Sequence, residues 1–460
     1  MIRLPRAALV AWALLLAACV PGRAARSPDP AAVGRVALIV VDGLDARDLT
    51  DADMPWLAHA WRTGAWCGDV HGIAAMPART NVNHATLTTG VEPEAHGVTG
   101  NAFWGRAGDP PRKLGAAGDF LVETLFTVAG GETPPLRTAA AVGKAKLQLM
   151  FTTAASRQAA PTEVWSPSDA AAGEREPVTG YAYDAATLTG ARKLIDHGPA
   201  FLLVNLADVD RVSHGTGPRS EAARATRAAT DRALGAFVDD LLARPEWRHG
   251  TVVITADHGF DAVTHPAIDF RARLRAARLD SGLVSVSDGG VAHVYLRRER
   301  PDAADAPTTL AAARRAALAT EGLAEALYLA PNPADGGDAA LLGRVHPEWR
   351  LDQERSGDLL LVAAPGFVLA DADEVRLLGN HGASGETDVP VVVVGDAERQ
   401  AGGCGRPRAA DIGATLFGCL GLRPARRLDG GSIADTDRGH RLTGICRDSG
   451  KVRALNRPVT

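Results

Sequence analysis

Hydrophobic residues fall along this chain in short runs separated by longer amphipathic stretches. Val36-Ala37-Leu38-Ile39-Val40-Val41, Phe201-Leu202-Leu203-Val204-Asn205-Leu206 and Thr251-Val252-Val253-Ile254-Thr255 are rich in β-branched or large apolar residues at consecutive positions rather than alternate ones. That pattern predicts strands buried on both faces, as in a parallel sheet. Between the runs lie helical stretches. The clearest extends from about Ser220 to Ala243, where Ala225, Ala228, Leu234, Phe237, Val238, Leu241 and Leu242 fall mostly on one face. The alternation over 34–270 predicts an α/β layer fold with a mostly parallel central sheet.

From about Arg271 to Arg350 the texture changes. An Arg/Ala-rich segment leads to a loop at Arg300-Pro301-Asp302, an Ala-rich helix near Leu310 to Ala326, and the turn-rich Pro331-Asn332-Pro333-Ala334-Asp335-Gly336-Gly337. This predicts a cap subdomain at 271–350, inserted over the crevice of the sheet. Asp358-Leu359-Leu360-Leu361-Val362-Ala363 and Val389-Pro390-Val391-Val392-Val393-Val394 resume the strand texture and predict the return to the core. The core is therefore expected in two parts, 34–270 and 351–446, followed by a tail at 447–460.

Composition narrows the classes. A 460-residue chain with 46% hydrophobic residues can bury one large α/β core with an insertion. A formal charge of −4 without a long Lys/Arg block excludes a nucleic-acid-coating surface, which needs a basic face. At the N-terminus, Arg3 and Arg6 precede an apolar stretch from Ala7 to Ala18 that is too short for a membrane span. Residues 1–18 read as an export signal. Leu16-Ala17-Ala18-Cys19 resembles the bacterial lipobox, which would make Cys19 the lipidated residue and 19–33 a tether; the alternative is a plain secretory signal. The expectation is an exported protein of the bacterial cell envelope, held to a membrane by a lipid. Cys67, Cys404, Cys419 and Cys446 remain, an even number in a compartment that permits disulfides, with three possible pairings. Cys404, in a Gly-rich loop, is the stronger candidate; Cys419, in an apolar segment, is either bonded or a buried thiol.

Polar clusters follow the apolar runs. Asp42 ends the first, Asp210 with His214 comes just after the second, and Asp257-His258 after the third; His381 lies in Gly379-Asn380-His381-Gly382. In an open α/β sheet the carboxyl ends of parallel strands meet at one crevice, so these residues can converge. A charged pair such as Asp257-His258 beside a buried strand must be solvated, paired or metal-bound. Asp210 and His214 have helical i, i+4 spacing and suit either a shared metal or a surface ion pair. Mixed Asp and His donors suit zinc, with manganese or iron also possible. Thr80, in Arg79-Thr80-Asn81-Val82-Asn83-His84, supplies a hydroxyl that metal ions can activate as a nucleophile without a His/Asp relay.

These segments together resemble the type I phosphodiesterase and nucleotide pyrophosphatase family of the alkaline phosphatase superfamily. Asp42-Gly43 matches the strand-ending Asp-Gly of that family. Thr80-Asn81-Val82-Asn83-His84, then Thr89-Gly90 and His96-Gly97, match its nucleophile motif, with Asn81-Val82 where the family has Phe-Pro. Asp210 to His214, Asp257-His258-Gly259 and His381-Gly382 match its remaining motifs in the same order. The resemblance implies an alkaline-phosphatase-like sandwich of helices around the sheet and two divalent metal ions. One would be held by Asp210, His214 and His381, the other by Asp42, Thr80, Asp257 and His258. It also implies a phosphothreonine intermediate on Thr80 and contact of Asn101 with the phosphoryl oxygens. His84, His96 and His265 match no ligand position and are expected to be structural or at the surface.

The substrate implied is a small phosphorylated molecule, a phosphodiester or nucleotide pyrophosphate first, with phosphomonoesters and phosphonoacetate as alternatives on the same site. Lys144 and Lys146, two apart at an apparent strand-to-helix junction, are either solvated or a cationic clamp of the kind that phosphonoacetate hydrolases carry. A different class, a catalytically dead envelope protein that captures a phosphorylated ligand, would have no need of the complete ligand set.

Overall fold

In the computed structural model the described residues are 34–106, 110–115, 117–151, 162–297, 306–336, 338–371, 377–397 and 404–433. The expected signal, Cys19, the loop at Arg300-Pro301-Asp302, Cys446 and the tail lie outside them. No helix among the described residues is long and apolar enough to cross a membrane.

A seven-stranded sheet forms the centre. Its strands are β1 (Val36–Val41), β2 (Val70–Ile73), β3 (Thr138–Val142), β4 (Thr162–Trp165), β5 (Phe201–Leu206), β6 (Thr251–Thr255) and, from the far end of the chain, Asp388–Gly395. Across the sheet the order is β2, Asp388–Gly395, β6, β1, β5, β3, β4. β1 pairs in parallel with both β5 and β6, and β5 with β3; Asp388–Gly395 runs antiparallel to both of its neighbours, β2 and β6.

Alternate residues of β1 face opposite layers, as the pleat requires. Val36, Leu38 and Val40 pack with Val82 and Ala85 of the helix Thr80–Thr89 and with Ile412 and Leu416 of the helix Ala409–Cys419. Ala37, Ile39 and Val41 pack with Leu188 of the helix Asp184–Ile195 and with Leu234 and Phe237 of the helix Glu221–Ala243. The last helix has the bounds its periodicity predicts, with Ser220 capping its first turn. A disulfide joins Cys67 to Cys404. Cys419 is also disulfide-bonded, which excludes the free thiol considered for it.

A second, antiparallel sheet is ordered Leu283–Asp288, Val291–Leu296, Leu359–Ala363, Leu323–Tyr328. Two sequence expectations are corrected here. The Ala-rich helix ends at Leu318, and Leu323–Tyr328 is a strand. Gly322, with φ +87°, turns the chain between them, and pairing with Leu359–Ala363 overrides the weak strand propensity of the Ala/Glu/Leu composition. Leu359–Ala363 in turn belongs to this second sheet rather than the central one, which the chain rejoins at Asp388–Gly395. Both faces of Leu359–Ala363 are covered, so its apolar run reads like a central strand. Leu359 and Leu361 meet Phe270 and Leu274, whereas Leu360 and Val362 meet Met76 and Ala78 just before Thr80.

Candidate metal centre and nucleophile

Parallel register sets the first ligands. Val41 pairs with Leu206, and the Asp42 N–H continues the ladder by donating to Leu206 O at 2.9 Å, so Asp42 and the start of the helix Asp208–Thr216 leave the sheet at one level. Val40 pairs with Thr255, which brings Asp257 and His258 to the same edge. On the helix Asp208–Thr216 the four-residue spacing turns Asp210 and His214 to one side, with His214 Nε2 3.4 Å from Asp210 Oδ1. His381 follows the short strand Gly379–Asn380, which pairs with Asp261–Ala262 just beyond the Asp257-His258-Gly259 turn.

Two triads result. Asp210, His214 and His381 form one; Asp42, Asp257 and His258 form the other; within each, potential ligand atoms lie within 4.8 Å of one another. The His258 and His381 rings stack with centroids 3.5 Å apart, so the triads adjoin. These are the six Asp and His residues that the sequence motifs single out.

The tautomers of the three imidazoles follow from their partners. Nδ1 of His381 lies 2.7 Å from Ala78 O, that of His214 3.0 Å from Gly379 O, and that of His258 3.0 Å from Gly259 O. A carbonyl only accepts, so each Nδ1 carries a proton and the lone pair lies at Nε2, with Arg79 Nη1 3.5 Å from that of His381 and Thr80 Oγ1 3.4 Å from that of His258. Those lone pairs face carboxylates: His381 Nε2 is 3.5 Å from Asp210 Oδ1, and His258 Nε2 is 3.4 Å from Asp257 Oδ2. Asp210 Oδ1 and Asp257 Oδ2 are buried and have no hydrogen-bond donor. Acceptor facing acceptor in a buried site calls for a cation between them, and backbone carbonyls that fix the ring are the usual outer support of metal-ligating histidines.

The protonation states agree. Burial pushes His258 and His381 down, the latter well below its ordinary value with help from His258 and Arg79, so both rings are free to ligate at neutral pH. Burial raises Asp210, but the Lys144 ammonium outweighs it, so this carboxyl is held low. Asp42 is pushed up by burial and by the neighbouring charge of Asp257, a penalty that a bound cation would remove.

Thr80 opens the helix Thr80–Thr89 and is 1% exposed, with Oγ1 3.4 Å from His258 Nε2. A helix N-terminus favours negative charge, which suits an attacking alkoxide and a phosphoryl group. Asn81 and Val82, the departures from the family motif, lie inside this helix, and Val82 is fully buried. Asn101 is half-buried and its Oδ1 accepts the Asn81 N–H at 3.1 Å, which leaves its amide nitrogen as the donor for an incoming oxygen.

Lys144 is not solvated. Only 2% exposed, it donates from Nζ to Asp42 Oδ1 and to Asp210 Oδ2, both at 2.7 Å, and so links the triads. Against the cost of burial, these two carboxylates raise its pKa. Lys146 is half-buried, and burial together with Lys144 lowers its amine to about 8.

His96 is structural, as expected. The Val98 N–H donates to its Nδ1 at 3.1 Å, so Nε2 carries the proton and donates to Thr86 Oγ1 at 3.0 Å, and burial lowers the ring to about 3. His265 is exposed and stacks on Phe367. His84 does more than its motif suggests, with Nδ1 3.0 Å from Thr80 O and 3.4 Å from Asp257 Oδ2. Two further residues escape the sequence reading. Asn205 donates to Asp42 Oδ2 at 2.9 Å; being the one polar residue in an apolar strand was a usable sign. Arg79, next to Thr80, donates from Nη1 to His381 O at 2.9 Å.

Comparison with known proteins agrees with this geometry. The family profile described as type I phosphodiesterase / nucleotide pyrophosphatase matches residues 36–384. The chain is 24% identical to the venom phosphodiesterase of Naja atra over 263 residues, which is 55% of this chain but only 29% of that protein. Among solved structures, an inactive variant of murine ectonucleotide pyrophosphatase / phosphodiesterase 5 in complex with AMP superposes with a TM-score of 0.66 at 15% identity, covering 87% of this chain and 99% of that one. The phosphonoacetate hydrolase of Sinorhizobium meliloti, in complex with phosphonoformate, gives 0.60 at 19% identity, with 85% and 95% covered.

Proposed function

Because the chain belongs to the type I phosphodiesterase / nucleotide pyrophosphatase family, we propose that it hydrolyses a small phosphodiester or nucleotide pyrophosphate through a phosphothreonine formed on Thr80. The observation that carries this reading is the set of three imidazoles with Nε2 lone pairs turned on unsatisfied carboxylates around one buried threonine hydroxyl. Asp210, His214 and His381 would hold one divalent ion and Asp42, Asp257, His258 and Thr80 the other, most simply zinc given the mixed donors. When bound, such a pair supplies Lewis-acid stabilisation of the attacking and leaving oxygens of an in-line displacement.

The protein's own residues do the rest. Thr80 attacks phosphorus from the first turn of its helix, where the macrodipole favours the anion, and its Oγ1–P bond forms as the P–O bond to the departing alcohol or phosphate breaks. Asn101, its carbonyl oxygen occupied by Asn81 N–H, offers its amide protons to a phosphoryl oxygen. The backbone carbonyls behind His214, His258 and His381 keep those rings oriented through both halves of the reaction. Hydrolysis of the phosphothreonine by water returns the hydroxyl.

Dialysis against a chelator is expected to abolish turnover, and zinc, or less effectively manganese, to restore it at roughly two ions per chain. Asp210→Ala and Asp257→Ala should each lower metal content and turnover together. Full activity in metal-free protein contradicts the assignment, and a protein that retains no metal at all fits the dead binding protein instead.

A second reading, a phosphomonoesterase or phosphonoacetate hydrolase, is favoured by the buried Lys144 and by Lys146 beside it. A monoester or phosphonate brings about −2 to the site against −1 for a diester, which makes a cationic pair more useful to it. Turnover of an aryl phosphodiester, a nucleoside triphosphate, an aryl monoester and phosphonoacetate by the metal-loaded protein decides between the two.

We also infer export and lipidation at Cys19, on the strength of Arg3, Arg6, the apolar stretch and Leu16-Ala17-Ala18-Cys19. Mass spectrometry of the mature N-terminus is expected to find a lipidated Cys19; an unmodified residue at another position would leave only export.

A further inference from the structure

The second sheet reaches into the site at one point, the hairpin between Leu283–Asp288 and Val291–Leu296. Asp288 pairs with Val291 across the two-residue turn Gly289-Gly290. Gly289 has φ +71°, and a Cβ on it would overlap Arg79 Nη1 and His381 O; a Cβ on Gly290 would overlap the Ala383 backbone. Only a turn without side chains fits so closely, and Gly290 N–H donates to His381 O at 2.9 Å.

Asp288 occupies the corner of this turn with its side chain 4% exposed. Its Oδ2 accepts the Asn101 N–H at 2.7 Å, and its Oδ1 pairs with Arg79 Nε at 2.9 Å. Each partner continues toward the reacting centre. Asn101 Oδ1 receives the N–H of Asn81, the residue after Thr80. Arg79 Nη1 donates to His381 O at 2.9 Å and to Asn380 Oδ1 at 3.3 Å. One carboxylate therefore ties the loop that carries Asn101 and the residue before the nucleophile to a single rigid hairpin. Gly100 lets that loop come close, since a Cβ there would lie 2.6 Å from Asp288 Oδ2.

We propose that Asp288 is a positioning residue for phosphoryl transfer: from the second sheet it fixes Asn101 and Arg79 against the start of the helix that carries Thr80. The inference rests on the phosphoryl-transfer reading above and adds that the second sheet completes the site. A carboxylate is needed because one oxygen accepts the Asn101 N–H while its charge pairs with the Arg79 guanidinium. Asn at this position keeps one acceptor for Asn101 N–H but turns an NH2 toward the guanidinium.

The test is a double-mutant cycle on metal-loaded enzyme with the best substrate of the panel, comparing Asp288→Asn, Asn101→Ala and the double variant. Asp288→Asn is expected to lower kcat by about tenfold to a hundredfold, the scale of a misplaced catalytic group, with KM and metal content near wild type. The double variant should lose less than the product of the two single losses, because Asn101 is one of the two partners through which Asp288 acts. Fully multiplied losses, a wild-type kcat in Asp288→Asn, or metal content falling in step with kcat overturn the proposal while leaving the role of Asn101 intact. An unimpaired Asn101→Ala removes the role of Asn101 itself and this inference with it. Asp288→Ser, which keeps a small acceptor for Asn101 N–H, takes the place of Asp288→Asn in the cycle if the latter does not fold.

Discussion

Thr80→Ala is expected to lower turnover by about a thousandfold or more, the scale seen when a covalent nucleophile is removed from an otherwise intact site. Thr80 Oγ1 is buried against His258 at the start of its helix. The substitution removes the hydroxyl and the γ-methyl and leaves the six Asp and His side chains of the two triads, so metal content should stay close to wild type. Thr80→Ser should retain measurable activity, since it restores the hydroxyl without the γ-methyl. Turnover of Thr80→Ala at the wild-type rate would contradict the covalent mechanism.

Lys144→Ala should have the second large effect, and its sign depends on the metals. The ammonium is buried between Asp42 and Asp210 and lies 5.4 Å from the centre of the Tyr181 ring. Removing one partner from a buried charge cluster costs about 3–5 kcal/mol, because the remaining charges are left uncompensated. In metal-free protein that cost falls on Asp42, Asp210 and Asp257 together, and a marked fall in melting temperature is expected. Divalent ions compensate the same carboxylates, so metal-loaded Lys144→Ala should melt much closer to wild type. If Lys144 also serves substrate, turnover of a monoester or phosphonate should fall far more than that of a diester. Equal destabilisation with and without metal contradicts the pairing of Lys144 with the ligand carboxylates, and equal losses on all substrates assign it to the metal site alone.

How far the sequence disclosed the site depended on which forces put each residue there. Asp42 and the Asp257-His258 pair end strands whose consecutive β-branched residues mark burial on both faces, so their convergence follows from parallel register alone. Asp210 and His214 show the spacing of one helical turn. His381 has no such local mark; it sits after a two-residue strand, and it was the resemblance to the family that assigned it to a metal. Asp288 and Arg79 were not legible, because their roles arise when the second sheet docks on the first, and no local pattern encodes that contact. The same gap explains the second sheet itself. Leu323–Tyr328 has a helix-like composition and is a strand only because Leu359–Ala363 lies beside it, and the apolar run 359–363 does not say which sheet it will join.

The central claim is that Thr80 carries the phosphoryl group between substrate and water. Rapid acid quench of the metal-loaded enzyme during turnover, followed by mass spectrometry of the peptide containing Thr80, tests it most directly. A phosphoryl group on Thr80, absent from Thr80→Ala treated in the same way, is the expected result. A phosphoryl group on a different residue, or turnover by Thr80→Ala at the wild-type rate, would contradict it.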